Sequence, residues 1–274
     1  MGSSGLNAKP VLLTIAGFDP SSGAGITADL KVFAAHGLYG MAGITALTVQ
    51  STQGVRSIEP VASATIQATL DTLSEDVSFA GVKIGMLASA EAVTAVTAFL
   101  LETGISRDRI VLDPVIRSSS GRELLSHDGL LALQRDLLPI VGWVTPNLDE
   151  LAALTGLKVE SPEAVESAAA VLKKQAENPD LNILVTGGHL GKPDDYLLSA
   201  DGKGTWLPGE RVETTSTHGT GCALSSALLC RLVMGDSPGE AARQAKAYVT
   251  SALTTAYPIG EGRGPLNHLF RFER

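Results

Sequence analysis

Aromatic side chains are scarce, with Phe, Tyr and Trp making up 4% of the 274 residues. That leaves too few rings for a platform that stacks successive bases of single-stranded nucleic acid. Positive charge is also short: 21 Lys and Arg stand against 29 Asp and Glu, a net charge of −8. Such a balance argues against a general binder of phosphate backbones. Charged residues total 18%, too few for a coiled coil or a disordered chain. The only cysteines are Cys222 and Cys230, so a disulfide scaffold is excluded and a reducing cytoplasm is the expected setting. No uninterrupted apolar run approaches the roughly 18 residues of a membrane span. Nor does the start show the apolar region of a targeting segment. Residues 1–9, opening Met1-Gly2-Ser3-Ser4-Gly5, read as a tag remnant or a disordered start.

What the chain does have is apolar bulk and glycine. It is 44% hydrophobic and carries 29 glycines, well above the average of about 7%. No composition break, linker or repeat appears, so residues 10–274 are expected to form one domain. Along them, short β-branched runs alternate with longer Ala/Leu-rich stretches. Strands are expected at Val11–Ala16, Gly43–Val49, Val82–Ile84, Ile110–Leu112, Trp143–Thr145 and Ile183–Thr186. Helical spacing marks Ala24–His36, Thr65–Ser74, Ala90–Leu101, Leu130–Leu138 and the stretch around Val165–Leu172. This rhythm predicts an α/β fold with a mostly parallel central sheet and helices on both faces. Two places break it. Tyr196–Ser199 and Thr205–Leu207 flank a Gly-rich turn and read as a β-hairpin, and Gln50–Pro60 reads as extended.

In such sheets ligands bind outside the carboxyl ends of the strands, and the residues with chemical potential gather there. Thr217-His218-Gly219-Thr220-Gly221-Cys222 precedes a long helical pattern. Glycines at a helix start let bare N–H groups converge on an anion, aided by the helix dipole. In the first turn, the same dipole is expected to lower the Cys222 thiol pKa and make it a feasible base. The plain alternative is a small buried cysteine beneath a Gly-rich loop, and for Cys230, deep in an apolar pattern, that is the expected reading. Asn147 and Glu150 lie three apart at another helix start. They suit either a hydrated Mg²⁺ or an ordinary capping box. Asp113 is a second candidate for the water shell of a metal, or a turn residue before Pro114.

Two other patterns carry less. Gly23-Ala24-Gly25-Ile26-Thr27-Ala28 matches a dinucleotide fingerprint, but it begins too far beyond Gly17 for the tight strand-to-helix turn and lacks the acidic residue expected on the next strand. It reads better as a loop whose backbone approaches a small substrate. Cys222 with His218 could suggest a thiol hydrolase, yet no third orienting group is evident.

Taken in order, several segments resemble the ribokinase-like superfamily. The match is closest to the hydroxymethylpyrimidine and hydroxymethylpyrimidine phosphate kinases of thiamine biosynthesis. They are Thr14–Ile26 with Ala28-Asp29-Leu30-Lys31, Ile44–Leu47 with Gln50, Lys83–Leu87, Thr145-Pro146-Asn147, Gly187-Gly188-His189 and Thr217–Cys222. The resemblance implies a ribokinase-like fold with a small β lid, ATP and Mg²⁺ as cofactors, a small pyrimidine substrate and a homodimer. It puts Gln50 on the aminopyrimidine edge, Gly17, Asp19 and Ala24 on the substrate-side loop, and Met86 against the ring. Gly219, Thr220 and Gly221 become the anion hole, and Cys222 the base. Asn147, Thr186, Gly188 and His189 fall on the nucleotide side, and Asp113 and Glu150 hold the metal through water. Two readings compete: a pyridoxal or pyridoxine kinase on the same fold, and a non-catalytic ligand-binding module. The chain departs from the family at Ser118-Ser119-Ser120-Gly121, where Ala-Lys-Ser-Gly is common. Arg117 or Arg122 would then supply the charge of the lysine missing at Ser119. Thr186 stands where Lys is common, and Phe18 where a smaller residue is. These departures bear on the second phosphorylation more than on the first.

Overall fold

The computed structural model describes residues 9–118, 120–187 and 192–273. Nine strands form one sheet in the order β3-β2-β1-β4-β5-β6-β7-β8-β9. The central strands are β1 (Val11–Phe18), β4 (Gly81–Ile84), β5 (Ile110–Leu112), β6 (Trp143–Val144) and β7 (Asn182–Val185). They pair in parallel, as does β2 (Tyr39–Ser51) with β1. Every residue of β4–β7 is buried, because helices cover both faces; this is why these strands read as mainly apolar runs, with Lys83 in β4 and Asn182 at the start of β7 as the polar exceptions. Antiparallel strands close the two edges: β3 (Gly54–Pro60) on β2, and the hairpin of β8 (Asp195–Leu198) and β9 (Gly204–Leu207) on β7.

Alternate strand residues divide the core in two. Leu13, Ile15, Val82 and Ile84 face α2 (Ser63–Asp76), α3 (Ala90–Thr103), α5 (Leu148–Thr155) and α6 (Pro162–Gln175). Leu12, Val111, Trp143 and Leu184 face α1 (Gly25–Ala35), α7 (Thr220–Val233) and α8 (Pro238–Thr254). Cys230 is fully buried in this second layer, as its apolar surroundings predict. The chain leaves β1 through α1 to reach β2 on one side, and β4 lies on the other side of β1. The switch point between β1 and β4 is thus a natural crevice.

Two elements differ from the sequence expectation. The Leu130–Leu138 helix is instead α4 (His127–Ala132), a wider five-residue turn at Leu133–Leu137 and a tight turn at Leu138–Ile140. Pro139 has no N–H to continue an α-helical ladder. β2 begins four residues earlier than Gly43, since pairing with β1 from Tyr39 onward overrides the weak strand preference of Gly40 and Ala42. No helix among the described residues is long and apolar enough to cross a membrane.

At the end of α1, buried His36 places Nδ1 2.8 Å from Val32 O and packs against Tyr248, whose hydroxyl donates to His268 O. Burial holds both His36 and His268 down to about 4. An unfolded chain titrates them near 6.5, so between pH 6.5 and 4 the unfolded state binds more protons. Their contribution is intact above pH 6.5 and is lost as acid is added through that window, on the order of 3 kcal/mol for each ring. Urea unfolding from pH 7 to 4 should show this decline, and His36→Leu should flatten part of it. An equally steep decline in the variant would remove His36 from the account.

Candidate functional site

The carboxyl ends of β1, β4, β5 and β6, the β2–β3 hairpin and the starts of α5 and α7 converge on one cleft. Lining it are Gly17, Asp19, Ala24, Gln50, Met86, Asp113, Asn147, Glu150, Thr186 and Gly219 through Cys222. The fold therefore gathers these residues from seven separate stretches of sequence. Gly188, His189 and Ser119 lie outside the described residues. Of the two arginines considered for the missing lysine charge, Arg117 lines the cleft.

α7 begins at the floor of this cleft. Its N-cap, Gly219, has φ +86°, and a Cβ there would sit 1.9 Å from Gly23 O, so only glycine fits. No side chain caps the helix, which leaves first-turn N–H groups open to a ligand anion. Cys222 occupies that first turn. The expected lowering of its thiol pKa does not occur: burial pushes the thiol up to about 12, against the opposing pull of Lys83. Desolvation of the thiolate outweighs the dipole at this depth. The thiol is hydrogen-bonded to the Asp113 carboxylate and accepts from the Gly25 N–H.

Beneath Cys222 lies a buried charge cluster. Lys83, on β4, lies 3.0 and 3.1 Å from the two oxygens of Asp29 and 3.9 Å from Asp113 Oδ2. Thr14 and Ser226 hydroxyls complete the shell of Asp29, and Ser225 Oγ donates to Asp113 at 3.2 Å. Burial works against the Lys83 ammonium, but Asp29, Cys222 and Asp113 outweigh it and hold its pKa above the ordinary lysine value. Lys83 and Asp29 both fall in segments that carry the family resemblance, but nothing local in the sequence marks them as a buried pair.

Asn147 and Glu150 form a complete capping box on α5, with each side chain accepting from the other's backbone N–H at 2.9 Å. Capping and ligand binding are not exclusive, since both residues also line the cleft. Burial and the neighbouring Asp113 push the Glu150 carboxyl up to about 8. Burial likewise raises Asp113. Two buried carboxyl groups that disfavour each other's charge make a donor set suited to a divalent cation. Among the described residues no three His, Cys, Asp or Glu are grouped for direct ligation of a metal.

On the opposite wall, Asp19 lies at the end of β1. Burial works to raise its pKa, but hydrogen bonds from His218 and Ser21 prevail and hold the carboxyl below its usual range. His218 Nε2 lies 2.7 Å from Asp19 Oδ2, so Asp19 is an orienting group for His218 that the sequence did not reveal. The two residues are 199 positions apart. The two ends of the Gln50 amide lie 3.0 Å from His218 Nε2 and 3.1 Å from Thr48 Oγ1. Met86, Ala46 and Leu124 form an apolar cluster beside it, and the Thr45 hydroxyl donates to Met86 O. The wall thus offers one fixed amide on an apolar surface, a surface suited to a small polar ring.

A family model described as phosphomethylpyrimidine kinase matches residues 19–267. The hydroxymethylpyrimidine/phosphomethylpyrimidine kinase of Haemophilus influenzae is 40% identical over 267 residues, covering 96% of this chain and 97% of that protein. A phosphomethylpyrimidine kinase crystal structure from Clostridium difficile is similar at a TM-score of 0.78 and 34% identity, over 89% of this chain and 100% of that one. The ADP complex of Bacillus subtilis pyridoxal kinase has a TM-score of 0.86 at 28% identity, covering 97% and 100%.

Proposed function

Because the chain belongs to the phosphomethylpyrimidine kinase family, we propose that its cleft transfers the γ-phosphoryl group of ATP to 4-amino-5-hydroxymethyl-2-methylpyrimidine. The monophosphate formed is then phosphorylated in turn, in thiamine biosynthesis. The observation that carries this reading is one cleft holding both the open N-terminus of α7 with Cys222 and the Gln50 amide on its apolar wall. An amide offers a donor beside an acceptor, the complement of a ring nitrogen beside an exocyclic amine. The continuous nine-stranded sheet supports reading residues 10–274 as one domain.

In the transfer, the substrate hydroxyl oxygen forms a bond to the γ-phosphorus, and the bond from that phosphorus to the bridging oxygen breaks to release ADP. N–H groups from the Gly219 N-cap through Gly221 in the first turn of α7 face the charge on the moving group. The hydroxyl proton passes to Cys222 Sγ. The thiol is neutral at pH 7, so its own proton passes to the Asp113 carboxylate to which it is hydrogen-bonded. Asn147 and Thr186 lie on the nucleotide side. Glu150 and Asp113 would hold Mg²⁺ through its water shell, where the ion would neutralise phosphate charge. Arg117, at the rim, is the cation for the phosphate of the second substrate.

On β2, Leu47 and Val49 are about half exposed, which supports a homodimer through the β2–β3 lid. A cytoplasmic setting belongs to the same reading. Pyridoxal lacks the aminopyrimidine edge that Gln50 would read, so a panel of acceptors separates the two kinase readings. ATP consumption should favour the aminopyrimidine alcohol over pyridoxal by at least ~10-fold in kcat/KM, the worth of about one hydrogen bond. A tenfold preference for pyridoxal would replace the substrate. Tight pyrimidine binding with no turnover would replace catalysis with a binding role.

A further inference from the structure

The hydrogen bonds around Gln50 fix more than its position. We infer that Asp19, acting through His218, sets the direction of the Gln50 amide and thereby selects which ring edge the cleft accepts. The inference rests on the proposed function and deepens it: His218 and Thr48 become positioning residues for specificity.

Asp19 is held through both carboxylate oxygens. Its Oδ1 accepts from the Ser21 N–H at 2.8 Å and the Ser21 hydroxyl at 2.7 Å. Its Oδ2 accepts from the Ala24 N–H at 2.9 Å and meets His218 Nε2 at 2.7 Å. An ionised carboxylate only accepts, so His218 Nε2 must carry a hydrogen and donate it. The structure sets the Gln50 amide nitrogen 3.0 Å from this ring nitrogen; an N–H group cannot accept there, so the amide is turned over and its oxygen takes that end. Setting the amide nitrogen there would oppose two N–H groups. The other end, 3.1 Å from Thr48 Oγ1, is therefore the NH₂. Thr48 is consistent with this, because its single hydroxyl hydrogen goes to Phe18 O at 3.0 Å and leaves oxygen lone pairs to accept. In this assignment the His218 N–H is shared between Asp19 and the Gln50 oxygen and the amide NH₂ has Thr48 Oγ1 to accept it, whereas the inverse sets two N–H donors against each other.

What remains for a ligand is one N–H on the Thr48 side and lone-pair capacity on the His218 side. A ring with an acceptor nitrogen beside an exocyclic amine fits only one way round, with the nitrogen toward Thr48 and the amine toward His218. The reacting hydroxymethyl group is thereby held in one orientation. A ring without that donor–acceptor edge leaves the fixed amide unpaired, and such mismatches are discriminated strongly.

Two experiments test this. The first is long-range ¹H–¹⁵N NMR of the wild-type protein at pH 7, which locates the His218 hydrogen without any substrate. A hydrogen on Nε2 is expected. A bare Nε2 with the hydrogen only on Nδ1 would overturn the inference. The second compares His218→Leu with wild type. The kcat/KM ratio of aminopyrimidine alcohol to pyridoxal should fall ~10-fold or more through KM for the alcohol, with KM for ATP unchanged. An unchanged ratio, or a fall carried by kcat alone, would overturn it. Thr48→Val tests the other end of the amide, so a poorly folding His218→Leu would not end the matter; the same fall in ratio is expected, and an unchanged ratio counts against the inference. If the wild-type protein does not phosphorylate the alcohol, the functional reading fails, while the NMR result still judges the hydrogen-bond assignment.

Discussion

Replacing Cys222 by Ala is expected to lower kcat by at least ~10²-fold, the usual size of a lost proton-transfer group, while KM for ATP stays the same. Cys222 lies in the first turn of an uncapped helix, facing the cleft, with its thiol hydrogen-bonded to Asp113. Burial pushes that thiol to about 12, so no appreciable thiolate exists at neutral pH. Sulfur must then pass a proton on as it takes one. A hydroxyl can do the same, so Cys222→Ser should keep part of the activity that Cys222→Ala loses. A preformed thiolate base would lose as much in either variant, and kcat would follow the thiol ionisation near neutral pH. Steady-state kinetics of the two variants from pH 6 to 9 decide the matter. Near-wild-type turnover in Cys222→Ala would remove this residue from the chemistry.

The second large effect is on stability. Lys83→Met should destabilise the protein by roughly 3–5 kcal/mol, the cost of removing one partner from a buried ion pair. Asp29 and Lys83 are both completely buried. After the substitution Asp29 would keep only the Thr14 and Ser226 hydroxyls, with Asp113 still nearby. Neutralising both partners should restore part of the loss, since the penalty comes from the unpaired charge rather than from the missing contact. Asp29→Asn combined with Lys83→Met is therefore expected to be more stable than Lys83→Met alone. Urea unfolding of the three proteins gives the comparison. A loss below about 1 kcal/mol in Lys83→Met would mean that water reaches Asp29 and that the cluster beneath Cys222 is not dry.

Sequence pattern is informative where burial dictates composition. Parallel strands buried on both faces are mostly apolar, so β1 and β4–β7 stand out as short apolar-rich runs ended by Gly, Pro or Asp. The β8–β9 hairpin stands out because its turn needs glycine, and Gly202 has φ +84°. Residues such as Asp113, Asn147 and Gly219 were legible as candidates because a parallel sheet delivers its strand ends to one side. What pattern could not show was depth and pairing. The helix dipole at Cys222 suggested a lowered thiol pKa, whereas its burial, known only from packing, reverses the sign. Asp19 and His218, 199 positions apart, meet only because the fold brings the end of β1 beside the start of α7. Asn147 and Glu150 posed a choice between cap and ligand, yet the geometry allows one pair of residues to do both.

The most direct test of the central claim resolves the products of the leading substrate. The purified protein would be incubated with 4-amino-5-hydroxymethyl-2-methylpyrimidine, ATP and Mg²⁺ and followed by ³¹P NMR. The account predicts a phosphate monoester on the hydroxymethyl oxygen, followed by a diphosphate as the monoester is consumed, with one ADP released at each step. ATP left intact, or hydrolysed to ADP and free phosphate with no phosphorylated pyrimidine, would contradict it.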